Sequence, residues 1–309
     1  MQNTHPHSAL YQSFSFQAMG GPCELKLYAP DAATMEKAAE AATAEVRRIE
    51  STYSRYRNDS IVSAINKAAG KHAVQVDDET AALLDYAHTA HEQSDGLFDI
   101  TSGVLRGAWD FKSGRLPSQQ SVQALKSKVG WQKVHWQPPE IYLPEAGMEL
   151  DFGGFGKEYA ADAAARVCQE QGVAHGLVEL GGDIHVIGPH PDGSPWHIGL
   201  RNPRQPDQAI QVVRVSQGGL ASSGDYERFM VIDGTRYCHI LNPKTGWPIR
   251  NHFAAVSVLA PLCLIAGTGA TVAMLKGEEG GRQWLNNLGL PYCWVNAAGE
   301  KGLSQEWLE

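Results

Sequence analysis

Between Leu177 and Leu259 the chain alternates short apolar runs with polar turns, and this restricts the fold more than any other feature. Leu177–Leu180, Ile184–Ile187, Trp196–Leu200, Ile210–Val215 and Ala255–Leu259 alternate or run apolar over strand-like lengths. Asp233-Gly234, inside Met230–Tyr237, suits the tight turn of a hairpin. Gly181-Gly182-Asp183 lies between two of the runs and is a bulge or a hairpin turn. Helical patterns flank this block. Asp31 is placed to cap an Ala-rich helix to about Ser51, and Asp77 and Asp78 open a second through His91. Lys157–Gln171 is a third, ending at Gly172, and Ala266–Leu275 a fourth. Phe14–Ala18, Cys23–Tyr28 and Met148–Phe152 are further strands, and Lys112–Gly147 is expected to be irregular with short strands. The pattern predicts a polar, mobile lead-in over residues 1–13, then one α+β domain in two lobes over residues 14–309.

A net charge of −8 argues against nucleic acid as the main partner, although a small phosphorylated ligand needs only one or two cations and backbone amides. The five cysteines are scattered, odd in number and without a Cys-x-x-Cys pair, which fits buried thiols in a reducing compartment. No basic region followed by an apolar core opens the chain, and the longest apolar run, near Ala254–Ala266, is broken by Ser257 and Pro261. The expectation is a cytoplasmic protein with no membrane partner.

Three polar, glycine-spaced turns concentrate hydrogen-bond donors between Leu220 and Met274: Ser222–Tyr226, His239–Gly246 and Ala266–Thr271. A fourth, Asp151-Phe-Gly-Gly-Phe-Gly-Lys157, turns from an extended run into a helix. It is either a plain tight turn or a phosphate cradle, in which backbone amides, the helix N-terminus and Lys157 face an anion. It matches neither the P-loop nor the dinucleotide fingerprint. His239, just before Asn242-Pro-Lys-Thr-Gly246, is either structural or a general acid/base or phosphate ligand. No His-Glu-x-x-His and no Gly-x-Ser-x-Gly is present, which argues against zinc hydrolysis and a serine nucleophile.

Taken in order, these segments resemble the ApbE family of FAD:protein FMN transferases over about residues 14–277. The resemblance is carried by Ala-Met-Gly at 18–20, Tyr-Ser-Arg-Tyr at 53–56 and Gly-Leu-Phe-Asp-Ile-Thr at 96–101. It continues through Asp-Phe-Gly-Gly-Phe-Gly-Lys-Glu-Tyr-Ala-Ala-Asp at 151–162, Gly-Gly-Asp-Ile at 181–184, Ser-Ser-Gly-Asp-Tyr at 222–226 and His-Ile-Leu-Asn-Pro-Lys-Thr-Gly at 239–246. It implies an ApbE-like, T-fold-like single domain of mixed, largely antiparallel sheets with packed helices. It also implies an enzyme that splits FAD with Mg²⁺, links FMN through a phosphoester to a Ser or Thr of a target flavoprotein, and releases AMP. Met19, Tyr56, Leu97, Phe98, Asp99, Asp151, Lys157 and Leu241 would then contact the flavin nucleotide. Lys157 would neutralise phosphate charge and His239 would assist the transfer.

The chain departs from the family at the metal. Where relatives carry an Asp, a further Asp or similar residue, and a Thr on one helix face, this chain has Gly267, Ala270 and Thr271. Thr271 and the backbone carbonyl of Gly154 are the family-type ligands that remain, and Asp183 or Asp225 could bring a carboxylate. An Asp restored at 267 is expected to raise metal affinity. A non-catalytic FAD-binding or flavin-supply protein is therefore the alternative to an active transferase. Thr268-Gly-Ala-Thr271 also resembles the acceptor sequence of such enzymes, which would make Thr271 a self-modification site.

Overall fold

The computed structural model of the chain describes residues 9–205, 207–304 and 307. Its first half contains β1 (Leu10–Ala18), β2 (Gly21–Ala29), α1 (Ala32–Tyr53), α2 (Ile61–Ala68), β3 (Val74–Gln75), α3 (Asp78–Gln93), α4 (Gln119–Lys126), β4 (His135–Gln137) and β5 (Glu140–Tyr142). Next come α5 (Gly156–Glu170), β6 (His175–Leu180), β7 (Asp183–Gly188), β8 (Trp196–Arg201), β9 (Ala209–Val215) and β10 (Gly218–Gly224). The chain continues with β11 (Phe229–Ile232), β12 (Thr235–Cys238), β13 (Ala255–Ala260), α6 (Cys263–Leu288), β14 (Tyr292–Val295) and β15 (Lys301–Leu303). This is the α+β class that the sequence predicts. Of the expected lead-in, residues 1–8 lie outside the described residues, while Leu10 to Ser13 already belong to β1. Among the described residues no helix is long and apolar enough to cross a membrane.

Two compact units are interleaved along the chain. The first comprises Met1–Glu50, Phe155–Ser222 and Val258–Gly267; the second comprises Ser51–Gly154, Ser223–Ser257 and Thr268–Glu309. In the first unit the sheet runs β1-β2-β6-β7-β10-β13, with antiparallel pairing from β1 through β10. Helix α5 lies on β6 and β7. Small residues make close packing possible: Ala160, Ala161 and Ala164 of α5 are fully buried, as are Val178 and Val186 of the strands. In α1, Ala38, Ala42, Val46 and Ile49 recur at helical spacing and all are buried, while Asp31 accepts the Thr34 amide at 2.7 Å to cap the start.

The second unit holds the small β3-β5-β4 sheet and the β11–β12 and β14–β15 hairpins. The Asp233-Gly234 turn has the positive φ angles (49° and 73°) that the sequence predicts. Trp109 donates its indole N–H to the Gly246 carbonyl at 2.9 Å and meets Trp247 edge-on, tying the His239–Gly246 loop to this unit's core.

Four expectations are corrected. Met148–Phe152 is not a strand: the Asn66 side-chain amide takes both the N–H and the C=O of Leu150, and Ile100 takes the Asp151 N–H, so no ladder forms. Lys112–Gly147 contains α4, started by Ser118 accepting the Ser121 amide. Ser222–Gly224 is the end of strand β10 rather than a turn. The last helix is longer than expected, with a non-helical Gly277 (φ 78°, ψ 179°) inside it.

Within the first unit one carboxylate fixes the entry into α6. Asp162 of α5 accepts the Cys263 amide at 2.7 Å and the Leu264 amide at 3.0 Å, and it holds His185 Nδ1 at 2.6 Å. These are orphan N–H groups of a helix N-terminus, satisfied from a neighbouring helix. Asp162→Ala is expected to lower unfolding free energy by about 1–3 kcal/mol. Denaturant melts check this, and a loss below about 0.5 kcal/mol would show that the cap is dispensable.

Candidate functional site

The residues singled out by sequence fall in two groups, one in each unit. In the first unit, Met19-Gly20 forms the two-residue turn between β1 and β2, with Ala18 opposite Gly21. Met19 adopts φ 54°, a left-handed conformation costly for such a side chain, and its amide donates to Glu50 Oε1 at 2.6 Å. Strain of this kind collects where a side chain must be presented in one direction.

Lys157 lies in the first turn of α5, whose N-cap residue Phe155 makes no side-chain cap. Its ammonium contacts Asp183 Oδ2 at 2.6 Å. Burial works against the charge, but the carboxyl groups of Asp183 and Glu158 outweigh it, so the lysine pKa is raised and Lys157 stays cationic. An ammonium has three donors, so one bond to Asp183 leaves capacity for an anion at the α5 N-terminus. The Gly181-Gly182 turn between β6 and β7 delivers Asp183 to this place.

Glu158, the next residue, was not singled out by the sequence. It is buried, and its Oε2 has no hydrogen-bond partner among the described residues. Burial, then the negative charge of Asp183, push its carboxyl well above the ordinary carboxylate range, against the pull of Lys157. Its side chain lies across Gly267: a Cβ placed there would stand 2.8 Å from Glu158 Cδ and nearer still to Oε1. An Asp at 267, expected to raise metal affinity, would have to displace this side chain first. The only cue in the sequence was an acidic residue beside Lys157 on a face otherwise made of alanines.

In the second unit Asp151 organises the glycine turn. Its Oδ1 accepts the Gly153 amide at 2.8 Å, and its Oδ2 meets Arg106 at 2.7 Å and Arg55 at 3.4 Å. Gly103 is glycine because Asp151 Oδ2 would lie 3.0 Å from any Cβ there and Asp151 Cβ closer still. Sequence reasoning named Asp151 but passed over Arg106. Asp99 is also fully engaged: Oδ1 accepts from the Thr101 amide and hydroxyl, and Oδ2 accepts the Trp131 amide at 3.0 Å with His91 Nε2 at 3.7 Å. Phe98 is buried, its ring 3.6 Å from where a Cβ on Gly154 would stand, whereas Leu97 is half-buried. Tyr56 is 77% exposed, with the Arg55 guanidinium 5.1 Å from its ring centre. Leu241 packs against Val104, Leu105 and Val129.

His239 is half-buried and its Nδ1 has no hydrogen-bond partner among the described residues. Burial, then the positive charge of Arg228 and that of Arg106, push its pKa down to about 4. It is neutral at neutral pH, with a nitrogen free to take a proton. Asp225 is buried, with Oδ2 4.0 Å from Arg236. Thr271 is half-buried in α6, and the Thr268–Thr271 segment is helical, with Ala270 fully buried and Thr268 bonded to the Tyr86 hydroxyl at 2.7 Å. Among the described residues no cluster of three or more His, Cys, Asp or Glu side chains is arranged to hold a metal. Neither Gly267 nor Ala270 offers a side-chain oxygen, and the carboxyl lying against Gly267 is the orphaned one of Glu158.

The ApbE family profile matches residues 19–294. An FAD:protein FMN transferase of Escherichia coli is 30% identical over 258 residues, covering 80% of this chain and 73% of that protein. One of Klebsiella pneumoniae is 31% identical over 274 residues, covering 87% and 84%. Among solved structures, the ApbE protein of Thermotoga maritima superposes with TM-score 0.87 at 28% identity, covering 97% of this chain and 98% of that one. The flavinyl transferase ApbE of Pseudomonas stutzeri gives 0.86 at 28%, covering 98% and 97%.

The His239 environment sets a pH dependence. Its folded pKa is lowered to about 4 from an ordinary 6.5, so the unfolded chain takes up the proton first. The stability contributed by neutral His239 is complete above pH 6.5 and is lost as pH falls through 4. NMR titration of the imidazole, assigned by comparison with His239→Gln, is expected to give a midpoint near 4. A midpoint close to 6.5 would show that the ring is solvated.

Proposed function

The chain belongs to the ApbE family, and from that premise we propose that it is an FAD:protein FMN transferase whose acceptor is a Ser or Thr of a target flavoprotein. The observation that carries this reading is the family match over residues 19–294, with named transferases at 30–31% identity across most of the chain.

In the reaction the acceptor hydroxyl oxygen attacks the phosphorus on the FMN side of the FAD pyrophosphate. The bond from that phosphorus to the bridging oxygen breaks, AMP leaves with the electron pair, and the hydroxyl proton passes to a base. Phosphoryl transfer depends mainly on positioning and charge compensation. His239 is the proposed base, being neutral with an unpartnered nitrogen. Lys157, held cationic by Asp183, is the proposed counter-charge to the phosphates. Met19, Tyr56, Leu97, Phe98 and Leu241 offer apolar and aromatic surface for the flavin nucleotide, and Asp99 and Asp151 act by holding their loops in shape. Mg²⁺, when bound, would offset phosphate charge, with Thr271 and the Gly154 carbonyl as uncharged oxygen ligands. A reducing, cytoplasmic setting is supported by five cysteines that are all free and buried.

The test is purified protein with FAD and a Ser/Thr acceptor domain, with and without Mg²⁺, following AMP release and the mass of the acceptor. Equal amounts of AMP and FMN-modified acceptor are expected, with no FMN-sized mass gain on the chain itself. Lys157→Ala and His239→Gln should each reduce kcat/KM by about 10²-fold or more. Tight FAD binding with no AMP under any metal would overturn the enzyme reading in favour of an FAD-binding or flavin-supply protein.

A further inference from the structure

We propose that Glu158, from α5, is the carboxylate that binds the divalent cation in this chain, and that position 267 is glycine because the Glu158 side chain needs the space above it. A buried carboxyl oxygen without a hydrogen-bond partner is costly, on the order of 1–3 kcal/mol. Such groups are few in native proteins and call for a function. Glu158 Oε2 is one, in a residue only 8% exposed. Its hydrocarbon stem and carboxyl cross directly over the Cα of Gly267, with Cγ at 2.6 Å and Cδ at 2.8 Å from an added Cβ. Any side chain at 267 would push the carboxyl away.

The surrounding charges suit a small hard cation. Glu158 feels the negative charges of Asp183 and Asp162 against the positive one of Lys157, which holds one oxygen of Asp183. Magnesium and manganese take oxygen ligands, commonly one or two carboxylates completed by substrate phosphates and water. Glu158, with Asp183 beside it, supplies that many. The inference rests on the transferase reading only for the FAD phosphates that complete the shell.

The test is Mn²⁺ titration of the full chain, followed by the electron paramagnetic resonance of free Mn²⁺, without FAD and again with it. Glu158→Gln keeps the shape but can never carry the negative charge, and should weaken Mn²⁺ by at least about tenfold. Gly267→Ala removes no carboxylate, yet by displacing Glu158 it should weaken Mn²⁺ similarly; it also decides the matter if Glu158→Gln does not fold. Gly267→Asp alone should bring no gain, whereas Glu158→Gly combined with Gly267→Asp should recover most of the affinity. Unchanged Mn²⁺ binding in Glu158→Gln, no Mn²⁺ binding by the unaltered chain with or without FAD, or tighter binding in Gly267→Asp alone would each overturn the assignment. Mn²⁺ binding through Glu158 without FMN transfer would overturn the transferase reading and leave this one standing. FMN transfer with Mn²⁺ affinity indifferent to Glu158 would do the reverse.

Discussion

Glu158 and Asp183 are buried together at the start of α5 beside the half-exposed Lys157, and a low-dielectric interior tolerates neighbouring carboxyl groups only if their charge is offset. The balance struck is one ion pair and one uncharged acid. Lys157 and Asp183 approach to 2.6 Å, which favours the charged lysine, while burial and the charge of Asp183 outweigh the pull of Lys157 on Glu158 and raise its carboxyl pKa. Everything that brings these groups together is fold: the alanine face of α5 on β6 and β7, the Gly181-Gly182 turn that delivers Asp183, and Asp162 holding the first amides of α6 so that Gly267 passes beneath Glu158. A mutation that loosens any of these would act on the chemistry through electrostatics before it acted on shape.

Long periodic segments were legible from the sequence because one physical rule governed each. α1 and α3 begin at Asp31 and Asp77, whose side chains accept the amides three residues on, and the β11–β12 turn follows from Asp-Gly. The sequence misled where a side chain took over a backbone role. Met148–Phe152 has the composition of a strand, but Asn66 claims both polar groups of Leu150, and no local pattern records a partner so distant in the chain. Short helices such as α2 and α4 escaped because eight residues carry little periodicity.

The same distinction runs through the candidate site. Lys157 and His239 stood out in the sequence because their residue types and glycine-rich surroundings suit phosphate chemistry. Asp99 and Asp151 stood out as ligand contacts, and their carboxylates also bond Thr101, Trp131, Arg106 and the Gly153 amide, which no local pattern foretells. Glu158 went unnoticed because its meaning depends on a missing Cβ at position 267. From the sequence Gly267 is only a loss; in three dimensions it is a space already occupied.

Burial pushes both Lys157 and His239 toward neutrality, yet they end in opposite states, and the neighbours decide which. Asp183 and Glu158 beside the lysine reverse the effect of burial, while Arg228 and Arg106 near the histidine add to it. Transfer of a phosphoryl group to a hydroxyl asks for both outcomes: a fixed positive charge for the phosphates and an uncharged nitrogen for the proton. A protein that merely held a nucleotide would gain from a cation such as Lys157, whereas keeping His239 neutral with its Nδ1 unsatisfied costs stability. The proposal that Lys157 offsets phosphate charge and His239 takes the proton rests on these two opposite environments.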